Sequence, residues 1–254
     1  MKRKDEIMKI LTIGNSFAVN SCHYLPEICA EGKVPLTLGR ANIGGCPLAS
    51  HLSNAVQDIR RYGNIYDGDR TLREMLEAED WDYVTMQQAS HDSWRIGTYH
   101  PYFENLRDYV HKFAPTADIV IHETWAYRTD NERLRNEFMI SQSQMFGLLK
   151  ENYLEIAGMA ENRDGKSAMI LPVGEAFRIM QELTGDKTGE LTRNPDGPSH
   201  ANALGELIGG LIWYALLGGG DYRSVSFVPE GVDAKYVPLA KEAVGSAIAM
   251  YKAF

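Results

Sequence analysis

A serine near the start of this 254-residue chain and a histidine near its end are the residues best placed to do chemistry together. The stretch LTIGNSFAVNS, residues 11 to 21, runs an apolar strand into small polar residues and then a helix, with the hydroxyl of Ser16 at the bend. A serine is a weak nucleophile until a base takes its proton. Of the seven histidines, His200 is the one set up for that task. RNPDGPSHANALGEL places it at the end of a Pro/Gly-rich loop, just before an apolar helix, with Asp196 four residues upstream. A loop folded back on itself lets the carboxylate hold one ring nitrogen in a fixed tautomer while the other faces a hydroxyl. Other roles compete: Ser16 as a helix N-cap or part of a phosphate-cradling loop, His200 as a helix-start residue, and Asp196 as a turn former.

Acyl transfer also needs donors aimed at the developing oxyanion. The backbone N–H of Ser16 at a helix start is one candidate. Gly45, or Gly44 beside it, is a second, because glycine lets the backbone approach a ligand closely. A side-chain amide is a third, and Gln87 and Gln88 stand after an apolar run. Tight-turn glycines and a polar strand end are the plainer alternatives.

Positioning these groups requires βα units, and the chain alternates short apolar runs with longer amphipathic ones, as a parallel sheet demands. Strands are expected at MKILTIG, VPLTLGRANIGG, WDYVTMQQ, ADIVIHETW and SAMILPVG. Helices are expected around Tyr24 to Glu31, Ser50 to Arg61, Thr71 to Glu79, YFENLRDYVHKFAP, and Asn131 to Ala160, the last being one long helix or two with a kink. EAFRIMQELTG is a helix ended by Gly185, GDKTGELTRNPDGPSH a polar loop, and two helices close the chain. One domain spanning residues 1–254 is the economical reading. Ligands of such sheets sit beyond the carboxyl ends of the strands. Those ends hold Gly14-Asn15-Ser16, Gly44-Gly45, Gln87-Gln88, His122-Glu123-Thr124-Trp125 and Gly174-Glu175.

Composition narrows the function classes. A net charge of -8 with scattered basic residues argues against nucleic acid. LIGGLIWYALLGGG is the most apolar late segment, yet it falls short of the roughly 20 residues a bilayer span needs. It reads as a buried helix. The charged opening leads straight into the first strand, which argues against a signal peptide. On that reading the compartment is cytoplasmic, or periplasmic or secreted if a leader has been removed. Cys22, Cys29 and Cys46 have neither zinc spacing nor an even count for disulfides, and read as core fillers. His122-Glu123 lacks a third ligand, so no metal is expected, and no other cofactor is implied. Glu175 reads as a carboxylate favoured by a helix N-terminus.

These blocks resemble the SGNH hydrolases, the GDSL-like esterases and lipases, and in particular a bacterial branch whose first block is Gly-Asn-Ser-Phe, here IGNSF. The second block matches ANIGGCPL and the fifth matches DGPSH, so the likeness runs along essentially the whole chain. It implies a three-layer α/β/α sandwich with a five-stranded parallel sheet, of flavodoxin-like type. It also implies Ser16 as nucleophile, His200 as general base, Asp196 as the orienting acid, and the N–H groups of Ser16 and Gly45 as oxyanion donors. Two features depart from the family pattern. The Gly-x-Asn-Asp block is replaced by TMQQASHDSW, where Gln87 or Gln88, and Ser90 behind them, stands in for the asparagine amide. The Asp196-to-His200 spacing is one residue longer than in the family, which leaves a dyad or a backbone carbonyl as the alternative orienter.

Trp125 and Tyr127 in HETWAYR, with His91 and Trp94 after the third strand, read as pocket walls that suit a sugar face, with core packing as the commoner role for such aromatics. Asn15, Gly44, His91, Trp125 and Tyr127 are therefore the candidate substrate-binding residues. The activity expected is hydrolysis of small carboxylic esters, above all O-acetyl groups on carbohydrates, with a small-molecule or glycan ester as substrate and the oligomeric state left open. Thioesters stay open. The rivals are a non-catalytic glycan-binding or scaffold protein on the same fold, and a flavodoxin-like phosphate or nucleotide binder.

Overall fold

The structure is a computed structural model that describes residues 7–64, 68–162, 165–185, 190–192 and 197–252. Five strands form its sheet: β1 (Met8–Gly14), β2 (Leu36–Asn42), β3 (Tyr83–Met86), β4 (Asp118–Glu123) and β5 (Met169–Pro172). Their order is β2-β1-β3-β4-β5 and every pairing is parallel, as the alternating pattern predicts. β1 is buried along almost its whole length, while β2, at an edge, is half-buried over most of its own. That difference follows from position, since inner parallel strands are covered on both faces.

The helices are α1 (Ser16–Ser21), α2 (Leu25–Glu31), α3 (Leu48–Val56), α4 (Leu72–Leu76), α5 (Tyr102–Phe113), α6 (Gln142–Met159), α7 (Val173–Thr184), α8 (Ala203–Leu216) and α9 (Val237–Tyr251). Right-handed crossovers send α3, α4, α5 and α6 to one face. The helices α1, α2, α7, α8 and α9 pack with one another on the opposite face. The result is the expected α/β/α sandwich. The segment LIGGLIWYALLGGG lies mostly in α8, which is buried from Gly205 to Tyr214. Among the described residues, no helix is long and apolar enough to cross a membrane.

Several boundaries move for local reasons. α3 starts earlier than expected and stops at Val56, because Asp58 turns the chain into the left-handed region at φ +50°. Thr71 is not helical but caps α4, its hydroxyl accepting from Glu74 N–H while the Glu74 carboxylate accepts from Thr71 N–H. The 131–160 stretch divides into a short helical turn at Leu134–Phe138 and α6. Met139 at φ +55° separates them, and Ser141 caps α6. The three cysteines are buried and unpaired, and burial pushes the Cys29 thiol up to about 12 and the Cys46 thiol up to about 11.

Strand order and register place the rim residues. The chain reverses its direction of travel across the sheet between β2 and β3, so the crevice for a ligand opens beside the ends of β1 and β3. Ile13 pairs with Met86, and Met86 pairs with Ile121. Asn15, Gln87 and His122 therefore leave or end the sheet side by side.

Candidate active site

Ser16 is the first residue of α1, and Asn15 rather than Ser16 is its N-cap, the Asn15 Oδ1 accepting from Phe17 N–H at 3.1 Å. The hydroxyl of Ser16 is thus free of capping duty. It lies 2.9 Å from Nε2 of His200, a residue 184 positions away in sequence. At that separation an unprotonated Nε2 accepts the serine proton, as activation of an alcohol requires.

The loop that carries His200 is held from several sides. Trp125 Nε1–H donates to the Ser199 carbonyl at 2.8 Å, and Asn131 Nδ2 donates to the Ser199 hydroxyl at 2.9 Å. Asn20 of α1 accepts from Ala201 N–H through Oδ1 at 3.3 Å and donates from Nδ2 to Glu206 of α8 at 2.8 Å. Asn202 caps α8 by accepting from Leu204 and Gly205 N–H. Asp196 lies outside the described residues.

Gly44 and Gly45 form an exposed turn closed by Cys46 N–H donating to the Ile43 carbonyl at 3.1 Å. Gly45 sits at φ +61°, and a Cβ added there would meet nothing within 4 Å. Its glycine is set by dihedral angle, not by crowding. Among the described residues, the N–H groups of Ser16 and Gly45 donate to no protein acceptor.

The two glutamines are engaged elsewhere. Gln87 donates from Nε2 to Asn15 Oδ1 at 2.9 Å and accepts from His122 through Oε1 at 2.6 Å. Gln88 accepts from Leu48 and Ala89 N–H and donates to the Thr98 carbonyl at 2.8 Å. Both are buried with Nε2 donating to a protein acceptor, which differs from the open glutamine amide expected at an oxyanion. Ser90, the weaker substitute, has its hydroxyl 2.8 Å from the Tyr127 hydroxyl.

Of the two roles open to the rim aromatics, Trp125 and Tyr127 take the packing one. Trp125 is 1% exposed, with Phe17 stacked on it at 4.2 Å and Phe177 at 4.7 Å, so neither face is open to a sugar. Tyr127 is 3% exposed and stacks on Phe138. Asn15 is buried too, its Nδ2 donating to the Cys46 carbonyl at 3.4 Å. His91 stays half-exposed 3.6 Å from Asp92, and Trp94 lies against Phe138. Glu175 does enter the first turn of α7, but fully buried and paired with Arg178 at 2.6 Å and Lys150 at 3.2 Å.

Two buried histidines have partners that the sequence did not assign: His51, which nothing in its neighbours marks, and His122, which beside Glu123 reads only as half of a metal pair. His51 donates from Nε2 to the Gly14 carbonyl at 3.0 Å, just ahead of the serine bend, and burial pushes it down to about 4. His122 has both ring nitrogens occupied, by Gln87 and by Ser21, and burial pushes it down to about 3.

A family model described as a domain of unknown function, DUF4886, matches residues 9–247. A DUF4886 family protein from Bacteroides uniformis has a solved structure similar to this one at TM-score 0.85 and 24% identity, covering 96% of this chain and 95% of that one. An SGNH-hydrolase-like protein from Slackia heliotrinireducens matches at TM-score 0.57 and 23% identity, over 82% of this chain and 97% of that one. An acetyl xylan esterase matches at TM-score 0.52 and 12% identity, over 82% and 100%. These likenesses place the fold among the SGNH-like α/β folds. No curated protein matches the chain.

Proposed function

This chain belongs to the DUF4886 family, and from that premise we propose that it is a serine hydrolase of small carboxylic esters, with O-acetyl groups on carbohydrates as its substrate class. The observation that carries the reading is the 2.9 Å contact between Ser16 Oγ and His200 Nε2. His200 takes the Ser16 proton as Oγ attacks the ester carbonyl. The tetrahedral oxyanion is met by the N–H groups of Ser16 and Gly45. His200 then returns the proton to the leaving alkoxide, and the same ring activates the water that hydrolyses the acyl-enzyme. Asp196 is proposed to orient the imidazole. A carbohydrate alcohol is the finer part of the proposal. An acetyl xylan esterase among the structures of this fold supports it, whereas the buried Trp125 and Tyr127 do not.

A non-catalytic glycan-binding protein on the same fold is the second reading. One observation favours it: neither Gln87 nor Gln88 supplies the side-chain donor expected of an oxyanion hole.

Incubation with p-nitrophenyl acetate and a fluorophosphonate probe separates the two. Wild type is expected to release nitrophenol and to be labelled on Ser16, with both signals lost in Ser16→Ala and reduced by at least about a thousandfold in His200→Ala. Folded wild type that neither turns over nor takes the label refutes the hydrolase. Acetate release from acetylated xylo-oligosaccharides in preference to nitrophenyl butyrate tests the carbohydrate assignment.

A further inference from the structure

Beneath Ser16 runs a buried chain of hydrogen bonds that the proposed reaction does not itself use. Ser21 Oγ, at the last residue of α1, lies 2.8 Å from His122 Nε2, and His122 Nδ1 lies 2.6 Å from Gln87 Oε1. Gln87 Nε2 then donates to Asn15 Oδ1 at 2.9 Å. The direction is fixed by chemistry. An amide oxygen only accepts, so His122 carries its hydrogen on Nδ1, and the bare Nε2 accepts from the Ser21 hydroxyl. The ring faces Ser21, Gln87 and the edge of Trp213 at 5.6 Å. All four members are 2% exposed or less.

The chain ends on a side chain that joins both halves of the candidate oxyanion hole. Asn15 Oδ1 also accepts from Phe17 N–H, which sets the first turn of α1 behind Ser16, and Asn15 Nδ2 donates to the carbonyl of Cys46, next to Gly45. A rotation of the Asn15 amide would release both at once. Apolar residues could fill the same volume without the cost of burying four polar groups. A fully paired polar chain instead fixes one orientation.

We propose that Gln87 and His122 are positioning residues for the oxyanion hole: they lock the Asn15 amide, which holds the N–H groups of Ser16 and Gly45 in register. This role rests on the hydrolase reading for its catalytic consequence, but its structural consequence can be read without turnover.

The test uses Gln87→Glu, which keeps the shape but has no donor for Asn15, and the neutral Gln87→Met, which controls for the added charge. Unfolding midpoint, p-nitrophenyl acetate kinetics against pH, and the backbone amide resonances of Ser16, Phe17 and Gly45 are compared with wild type. Both folded variants are expected to lose about tenfold or more in kcat. KM should stay within about twofold, because the groups proposed to bind and attack the ester are untouched. The three amide resonances are expected to shift in both. Wild-type kcat in either folded variant overturns the proposal, as do unmoved resonances. If wild type shows no turnover and no fluorophosphonate labelling, the hydrolase reading falls and the resonances alone decide the positioning claim. If neither variant folds, the same measurements on His122→Gln decide it.

Discussion

Trp125 acts on the site through one N–H. Its ring is clamped between Phe17 and Phe177, and its Nε1–H holds the carbonyl of Ser199, the residue before His200. Trp125→Phe keeps an aromatic ring in the stack but leaves that carbonyl without its donor. The expected cost is about 1–2 kcal/mol of stability by denaturant unfolding. Ester hydrolysis should fall severalfold further than the unfolded fraction explains, because the His200 loop loosens. Unchanged kcat would mean the loop is held by Asn131 and Asn20 alone. Gly45 presents the opposite situation, with open space and a demanding dihedral. Gly45→Ala is expected to cost about 1 kcal/mol from positive φ alone. Its kcat should drop by a larger factor than that energy implies, since relaxing the turn re-aims the N–H offered to the oxyanion. A stability loss with wild-type kcat would remove Gly45 from the donor set.

At the end of β4 two neighbouring side chains, His122 and Glu123, titrate in opposite senses, and the protein's pH response follows. Burial pushes His122 down to about 3 and His51, behind the serine bend, down to about 4, against an ordinary value of 6.5. Below about pH 6.5 the unfolded chain therefore binds more protons than the fold, and each ring lowers stability by about 1.4 kcal/mol per pH unit. Burial, reinforced by the Glu175 carboxylate, pushes Glu123 up to about 8 from 4.5. Here the unfolded chain ionises first, so stability falls as pH rises from about 4.5 to about 8. These three groups together place maximum stability near pH 6.5. Thermal midpoints measured from pH 4 to 9 should show a decline on both sides, and Glu123→Gln should flatten the alkaline one. An alkaline decline that survives the substitution would assign it to other groups. None of this was legible in the sequence, where His122-Glu123 looks like half a metal site. Ser16 and His200 were legible because a strand–bend–helix and a Pro/Gly loop mark them locally. The strand pattern was legible too, since β1 is covered on both faces. Trp125, Tyr127 and Gln87 were misplaced for a common reason. Residues just past a strand end have left its alternation, so local sequence no longer says which way a side chain points.

Across the whole molecule, the proposed chemistry depends on two helices from opposite ends of the chain lying at one fixed spacing. α1 begins at Ser16 and α8 begins just after His200, and they meet where Gly209 packs on the backbone of Ser21. A Cβ at residue 209 would lie 2.7 Å from both the Cα and the carbonyl oxygen of Ser21. Those atoms are main chain inside a helix, so they cannot swing aside as a long side chain would. Gly209→Ala must therefore push α8 away from α1, at about 1–3 kcal/mol as for other overpacked interiors. The displacement reaches the site from two directions, by lengthening the 2.9 Å Ser16–His200 contact and by pulling Ser21 from His122. A misplacement of about 1 Å is enough to cost about a hundredfold in rate. Hydrolysis and fluorophosphonate labelling, measured well below the unfolding temperature, are expected to fall by more than tenfold together. Gly147→Ala is the matched control, on α6, where an added Cβ meets nothing within 4 Å. Helix propensity alone should make that variant up to about 1 kcal/mol more stable with activity unaltered. If Gly209→Ala instead keeps wild-type labelling while losing stability, the sheet alone sets the Ser16–His200 distance, and the α1–α8 contact serves only to close the core.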